Sequence, residues 1–235
     1  MRRASTPDRT RSFAVSAGGF DVLAQVAAAP LKRTALEQRV RSTALALLRR
    51  ENLVQPAYSF CVVPLEAPPG RILCAGGERI EAPKLLPSSG MLTALACGVA
   101  TIGAALEQRV SALFGERRAS LAVALDALGN ELLLAVVRRA QDRVHTLLRR
   151  RGLTMAGELR AGDPGLALEA QPAVLRLAHA RRAGVTLAHG STMHPLKSAS
   201  MVLGVGLDLP RARWSRCDTC PNLPRCRVAR ADLLL

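Results

Sequence analysis

Lysine is nearly missing from this chain. Only Lys32, Lys84 and Lys197 occur among its 33 basic residues, and aromatic residues make up just 3% of the 235 positions. A formal charge of +15 would otherwise bring nucleic acid to mind. The scarcity of aromatics weighs against that partner, because single-stranded recognition needs planar side chains on which bases stack. An Ala-, Leu- and Arg-rich composition accounts for much of the basic excess. Also absent are a P-loop, an HExxH helix and a GxSxG elbow, which removes the nucleotide-cleaving, zinc-peptidase and serine-hydrolase chemistries that those motifs carry. No apolar signal core follows the opening "MRRASTPDRTRS", so the expected compartment is the cytoplasm. The uncharged run 85–106 is long enough for a membrane span of about 20 residues. Pro87, Ser88, Ser89, Gly90, Gly98 and Gly103 break it into a loop, a buried strand and a helix start.

What is present is an ample core, at 49% hydrophobic residues. The expected organisation is a basic N-terminal arm over 1–18, one domain over 19–210 and a Cys-rich tail over 211–235. In "LKRTALEQRVRSTALALLRREN", Leu36, Val40, Leu47 and Leu48 recur at helical spacing. From Tyr58, "YSFCVVPLEAPPGRILCAGGERI" alternates short β-rich runs with Pro and Gly and reads as a hairpin-like pair. "LTALACGVATIG" reads as a buried strand ending in a glycine turn, and "AALEQRVSALFG" as a helix with Leu106, Val110 and Leu113 on one face. The clearest element is a helix near 121–151. Its apolar residues Leu121, Leu125, Leu128, Leu132, Val136, Ala140, Val144 and Leu147 recur three or four apart, and a basic last turn and Gly152 close it. It would run about 45 Å and cross a whole sheet. A Gly/Pro-rich loop, "LRAGDPGLALEAQP", and a short helix through "AVLRLAHARR" follow. Two apolar strands, "GVTLA" and "MVLGVGL", then bracket "HGSTMHPLKSAS". Strands and helices do not alternate regularly. The expected fold is therefore a single α+β domain with a twisted, mainly antiparallel sheet packed with several helices.

Three stretches hold candidate site residues. In "HGSTMHPLKSAS", Ser191, Thr192, Lys197 and Ser198 either line a ligand groove or cap the next strand, while His189 and His194 make a poor metal pair without a carboxylate or thiolate beside them. "RAGDPG", Arg160 to Gly165, offers a cation, a carboxylate and two glycines, and Asp-Pro-Gly is equally sufficient chemistry for a plain turn. The tail's "CDTCPNLPRC" places Cys217, Cys220 and Cys226 in a C-x2-C-x5-C run. Three thiolates in ten residues suit a soft metal, an iron–sulfur cluster in preference to zinc, although a free thiol cluster has the same spacing. Either metal usually takes four ligands. A fourth would come from Cys61, Cys74 or Cys97, from a partner, or from a small molecule.

The order of these segments resembles the vitamin B12-dependent methionine synthase activation (reactivation) domain family in its stand-alone form. The stretches that carry the likeness are "LACGVATIGAALEQRV", "ALDALGNELLLAVVRR", "LRAGDPGLALEAQPAVLRL" and "GVTLAHGSTMHPLKSASMVLGVG", with the cysteine tail behind them. It spans about residues 19 to 230. The resemblance implies an accessory protein that docks on a cobalamin-binding methyltransferase or corrinoid protein and helps return inactive cob(II)alamin to service, with one electron and a methyl group from S-adenosylmethionine. It implies cofactor contacts from Arg160, Pro164 and Gly165, in the place of an Arg-x-x-Pro-Gly-Tyr loop, and from Met193, Pro195, Lys197 and Ser198, in the place of a Met-x-Pro-x-Lys-Ser run. Arg160 stands one residue further from the proline than in that loop, and Leu166 replaces its tyrosine. In this setting the tail becomes a candidate [4Fe-4S] centre, fed by a ferredoxin- or flavodoxin-like donor drawn to Arg213, Arg216, Arg225 and Arg227. Two alternatives remain: a docking module that presents S-adenosylmethionine with zinc or no metal at the cysteines, and a basic nucleic-acid-binding protein.

Overall fold

The structure, a computed structural model, describes residues 11–27, 34–188 and 190–210. Its centre is a five-stranded sheet in the order β1-β2-β5-β9-β6, with every neighbouring pair antiparallel. The strands are β1 Phe13–Gly18, β2 Ala57–Pro64, β5 Met91–Thr101, β6 Thr154–Leu159 and β9 Ser198–Leu207. Two small hairpins stand off it: β3 Ile72–Ala75 with β4 Glu78–Glu81, and β7 Thr186–Ala188 with β8 Thr192–His194. The helices are α1 Leu23–Ala27, α2 Ala35–Arg50, α3 Ala105–Gly115, α4 Ala119–Arg150 and α5 Gln171–Leu177, and a 3-10 turn covers Ala180–Ala183. This is the expected α+β architecture, with the long helix where its apolar spacing placed it.

Alternation along the strands sorts side chains to two faces. One face presents Tyr58, Phe60, Val62, Ala94, Ala96, Ala100, Met201, Leu203 and Val205 to the helices α1 to α4. Along β5 this face carries only Ala94, Ala96, Gly98 and Ala100, so α4 lies close across the strand. At about 48 Å, from 1.5 Å per residue, α4 is long and apolar enough to cross a membrane by length and composition. Here half of its apolar window is buried inside the fold. Arg41 donates to both carboxylate oxygens of Glu131, at 2.8 and 2.7 Å, and to Val26 O at 2.9 Å, which ties α2 and α1 to α4. Arg139 of the same helix and Arg151, which caps it, lie 4.5 and 3.9 Å over the rings of Phe20 and Phe13. The other face presents Leu95, Cys97, Val99 and Val202 to α5, the 3-10 turn and the β3–β4 hairpin.

Four details depart from the sequence reading. Residues 13–18, assigned to the arm, form β1 and pair with β2 from Phe13↔Val62 to Gly18↔Ala57. β6 was not expected: a positive φ at Gly157 and a register shift between Ala156 and Leu159 interrupt its period. The run from Tyr58 divides, with β2 entering the main sheet and the hairpin proper formed by β3 and β4. In α2, Leu47 and Leu48 are buried with Ala44, whereas Leu36, at the exposed start of the helix, faces solvent.

Candidate functional site

At one end of the sheet, where β2 begins and β1 and β5 finish, strand ends and turns enclose a cleft of about 770 Å³. Its walls come from residues 18–23, from Asn52 and Val54 to Ala57, from Thr101, Gly103 and Ala104, from Ala183 and Gly184, and from His194 and Pro195. That volume suits a ligand of cofactor size. Among its described lining residues there is no lysine or arginine, and the ionisable side chains are Asp21 and His194.

Thr101 organises the deep wall. It is buried at the end of β5, its hydroxyl donates to Lys197 O at 3.2 Å, and it accepts from the Gly103 N–H at 3.2 Å. Ser198 Oγ, with a single proton to give, sits 2.6 Å from Pro195 O and 2.9 Å from Thr101 Oγ1. Gly103 has φ +81°, and a Cβ there would come within 3.0 Å of Gln55 Cβ. The tight turn that carries β5 into α3 along the cleft therefore requires glycine. Glu107 of α3 holds the 194–198 loop from behind: Oε2 accepts the N–H groups of Leu196 (2.8 Å) and Lys197 (3.3 Å), and Oε1 lies 3.9 Å from His194 Nδ1. Lys197 Nζ reaches Asp126 Oδ1 and Asn130 Oδ1 of α4, both at 2.7 Å. Of the residues in the Met-x-Pro-x-Lys-Ser run, then, Pro195 lines the cleft, Ser198 and Lys197 brace its wall, and Met193 packs partly buried on the core beneath α5.

The 160–166 segment lies elsewhere. None of its residues lines this cleft. It closes on itself, with the Arg160 N–H donating to Asp163 Oδ2 (2.9 Å), the Asp163 N–H to Arg160 O (2.8 Å), and the Leu166 N–H to Asp163 O (3.0 Å). The Arg160 guanidinium is taken up by Glu158 Oε1 at 3.1 and 3.2 Å. Gly165 has φ +102°, and a Cβ there would meet Lys84 Cδ at 2.8 Å. Leu166, where the loop motif has tyrosine, is 1% exposed and belongs to the core of the α5 face. The tyrosine-to-leucine departure thus coincides with a buried position.

Cys217, Cys220 and Cys226 lie outside the described residues, as does His189. Among the described residues no group of three or more His, Cys, Asp or Glu is placed to hold a metal ion. Cys61 and Cys97 face each other across β2 and β5, and both are buried. Desolvation pushes both thiols up, with Ser12 and Arg182 partly offsetting this at Cys61. Burial thereby disfavours the thiolate that binds metals. Cys74 in β3 is half-buried and is the most accessible of the three.

Sequence reasoning found the Pro195 side of the cleft and missed the opposite side. Gly18 lay in the stretch read as the arm, Asn52 at the end of the stretch read as a helix, and Gly19, Asp21 and Gln55 in stretches given no element. The available signals were the Gly-Gly-x-Asp turn after an apolar run and the Asn that follows α2, which adopts φ 49°.

A long helix thus lies across an antiparallel sheet, with a cleft at the strand ends. A solved structure of the MetH reactivation domain bound to AdoHcy shares this fold: the TM-score is 0.60 at 13% identity, over 94% of this chain and 88% of that one. No protein-family model matches the chain, and no curated protein does.

Proposed function

We propose that the chain is an accessory protein for reductive reactivation of a cobalamin-dependent methyltransferase, docking on the corrinoid protein and holding an S-adenosyl ligand in the sheet-end cleft. The observation that carries this reading is the shared reactivation-domain fold over 94% of the chain, onto which the four resembling stretches map as β5–α3, α4, the β6–α5 connection and β7–β9. S-adenosylmethionine bears a sulfonium. A cleft with Asp21 at its rim and no described lysine or arginine in its walls is electrostatically suited to it. In this reading Pro195 touches the ligand, while Met193, Ser198 and Lys197 shape the wall. The Arg160, Pro164 and Gly165 turn contributes only if Arg160 leaves Glu158.

The chemistry served is one-electron reduction of cob(II)alamin to cob(I)alamin, followed by methyl transfer from the sulfonium to cobalt, which releases S-adenosylhomocysteine. The reading also gives Cys217, Cys220 and Cys226 to an iron–sulfur centre, whose contribution would be to relay that electron from a ferredoxin- or flavodoxin-like donor. Of the described thiols, Cys74 is the one whose accessibility suits a fourth ligand. Zinc in the same place would leave a presenting and docking role without electron transfer.

The test is an inactivated cobalamin methyltransferase held as cob(II)alamin, with S-adenosylmethionine and a one-electron reductant, followed by visible absorption and electron paramagnetic resonance. The chain is expected to co-elute with the methyltransferase and to speed loss of the cob(II)alamin signal. No co-elution and no acceleration would remove the reading. Iron and sulfide analysis of anaerobically purified protein decides the metal separately.

A further inference from the structure

The 3-10 turn Ala180–Ala183 presents Ala183 to the sheet-end cleft. Its other side forms part of a second cleft, of about 500 Å³. Leu175, Ala180, Val185 and Leu187 give this one an apolar floor, and Arg176, His179, Arg181 and Arg182 stand around it. Four nitrogen-bearing side chains within seven residues would normally be spread over solvent or matched by carboxylates. Only Arg176 is matched, by a two-point pair with Glu78 at 2.5 and 2.9 Å. Arg181 and Arg182 are exposed and have no ion-pair partner among the described residues. His179 adopts φ 51°, in the left-handed region, held there by its N–H donating to Arg176 O (3.0 Å) and its C=O accepting from the Arg182 N–H (2.9 Å). A non-glycine residue in that region is strained, and such strain clusters at ligand sites. His179, Arg181 and Arg182 all line the cleft.

The geometry points to a binding site for a small amphipathic anion: a molecule with a phosphate, sulfonate or carboxylate group on a compact apolar body. The anionic group sits on Arg181 and Arg182, whose planar forks match such oxyanions with two parallel hydrogen bonds. The apolar body covers Leu175, Val185 and Leu187 and takes their surface out of water. Neither half is sufficient, since exposed guanidiniums are screened by salt and a shallow floor offers little area. Concavity is what lets one molecule use both. This site is independent of the sheet-end cleft and takes a ligand of opposite charge.

The probe is anilinonaphthalene sulfonate, titrated by fluorescence into the full chain beside its uncharged phenylnaphthylamine analogue. One site per chain is expected, with the neutral analogue at least tenfold weaker. The double variant R181S/R182S is expected to lose at least tenfold in sulfonate affinity with its thermal midpoint unchanged. R181K/R182K keeps the charge without the fork and should fall between the two. Binding of S-adenosylhomocysteine should be the same in all three proteins. Unaltered sulfonate affinity in the double serine variant, or equal affinity for the neutral analogue, would overturn the proposal.

Discussion

Two clefts share one 3-10 turn and differ in almost everything else. The larger is built from strand ends, glycine turns and a buried threonine, and its described walls carry one carboxylate and no lysine or arginine. The smaller has an apolar floor under three arginines and a histidine. In a chain with 33 basic residues and 18 acidic ones, cations scattered at random would have reached both. The fold instead sorts charge across four residues of turn, with Ala183 and Gly184 on one side and Arg181 and Arg182 on the other. Net charge therefore says little about what such a protein binds. The local field inside a concave, partly desolvated site says more.

The largest expected effect comes from removing the hydroxyl that holds the first cleft together. Thr101→Val keeps the shape and leaves the Gly103 N–H without its acceptor, in surroundings where an unmatched amide costs about 1–3 kcal/mol. Urea unfolding should show a loss of that size, and affinity for an S-adenosyl ligand should fall with it. The sulfonate site across the turn should be untouched. Loss at both clefts would mean that they are one mechanical unit rather than two.

The long helix was legible because its apolar residues recur every three or four positions over eight turns, a period that tertiary context did not need to override. Leu147 and Leu148 mark the limit of that reading: the expected stripe ran through Leu147, which is only partly buried, and Leu148 is fully buried. β5 was legible because it is buried on both faces. β1 and β6, the edge strands, were not. Each has one side covered and one open, and β6 is broken by Gly157, so neither shows a clean alternation. The site divided in the same way. Pro195 and Ser198 belong to a polar stretch of sequence between apolar runs, which is visible as a pattern. Asp21, Asn52 and Gln55 reach the cleft through long-range pairing, of β1 with β2 at Gly18↔Ala57 and of the Gln55 N–H with Ile102 O, and no local pattern encodes that.

A smaller effect tests the charge preference of the first cleft. Asp21 lies on its rim, and one of its carboxylate oxygens accepts the Leu23 N–H at 2.8 Å, so Asp21→Asn keeps an acceptor for the start of α1 while removing the charge. Titration calorimetry should show about fivefold weaker binding of the sulfonium S-adenosylmethionine, or roughly 1 kcal/mol. The neutral thioether S-adenosylhomocysteine should be unchanged. Equal losses for both would erase the electrostatic half of the contrast and leave only shape.

At the second cleft the expected stability effect is smaller again. The hydrogen bond from Arg176 holds the Glu78 carboxyl below the usual range. A depressed folded value stabilises the protein above the unfolded carboxyl value of about 4.3 and loses that contribution as pH falls through the lower folded value. Glu78→Gln should therefore cost at most about 1 kcal/mol at pH 7, because the pair is largely exposed. The difference from the parent protein should vanish in urea titrations below about pH 4. At neutral pH the variant frees Arg176 for the rim, and sulfonate affinity should rise two- to threefold.

The smallest expected effect concerns Arg160. Its guanidinium is occupied by Glu158, and the turn that carries it is closed by its own hydrogen bonds, outside the walls of the first cleft. Arg160→Ala should change S-adenosylhomocysteine affinity by less than twofold. The segment has little structure to lose, since Asp163 still accepts the backbone N–H of residue 160. A tenfold loss would show instead that Arg160 exchanges Glu158 for a ligand carboxylate, and the first cleft would then extend past Pro195 to the turn over Lys84. In that case the two clefts would no longer divide cleanly by charge, because the larger would borrow a cation when filled.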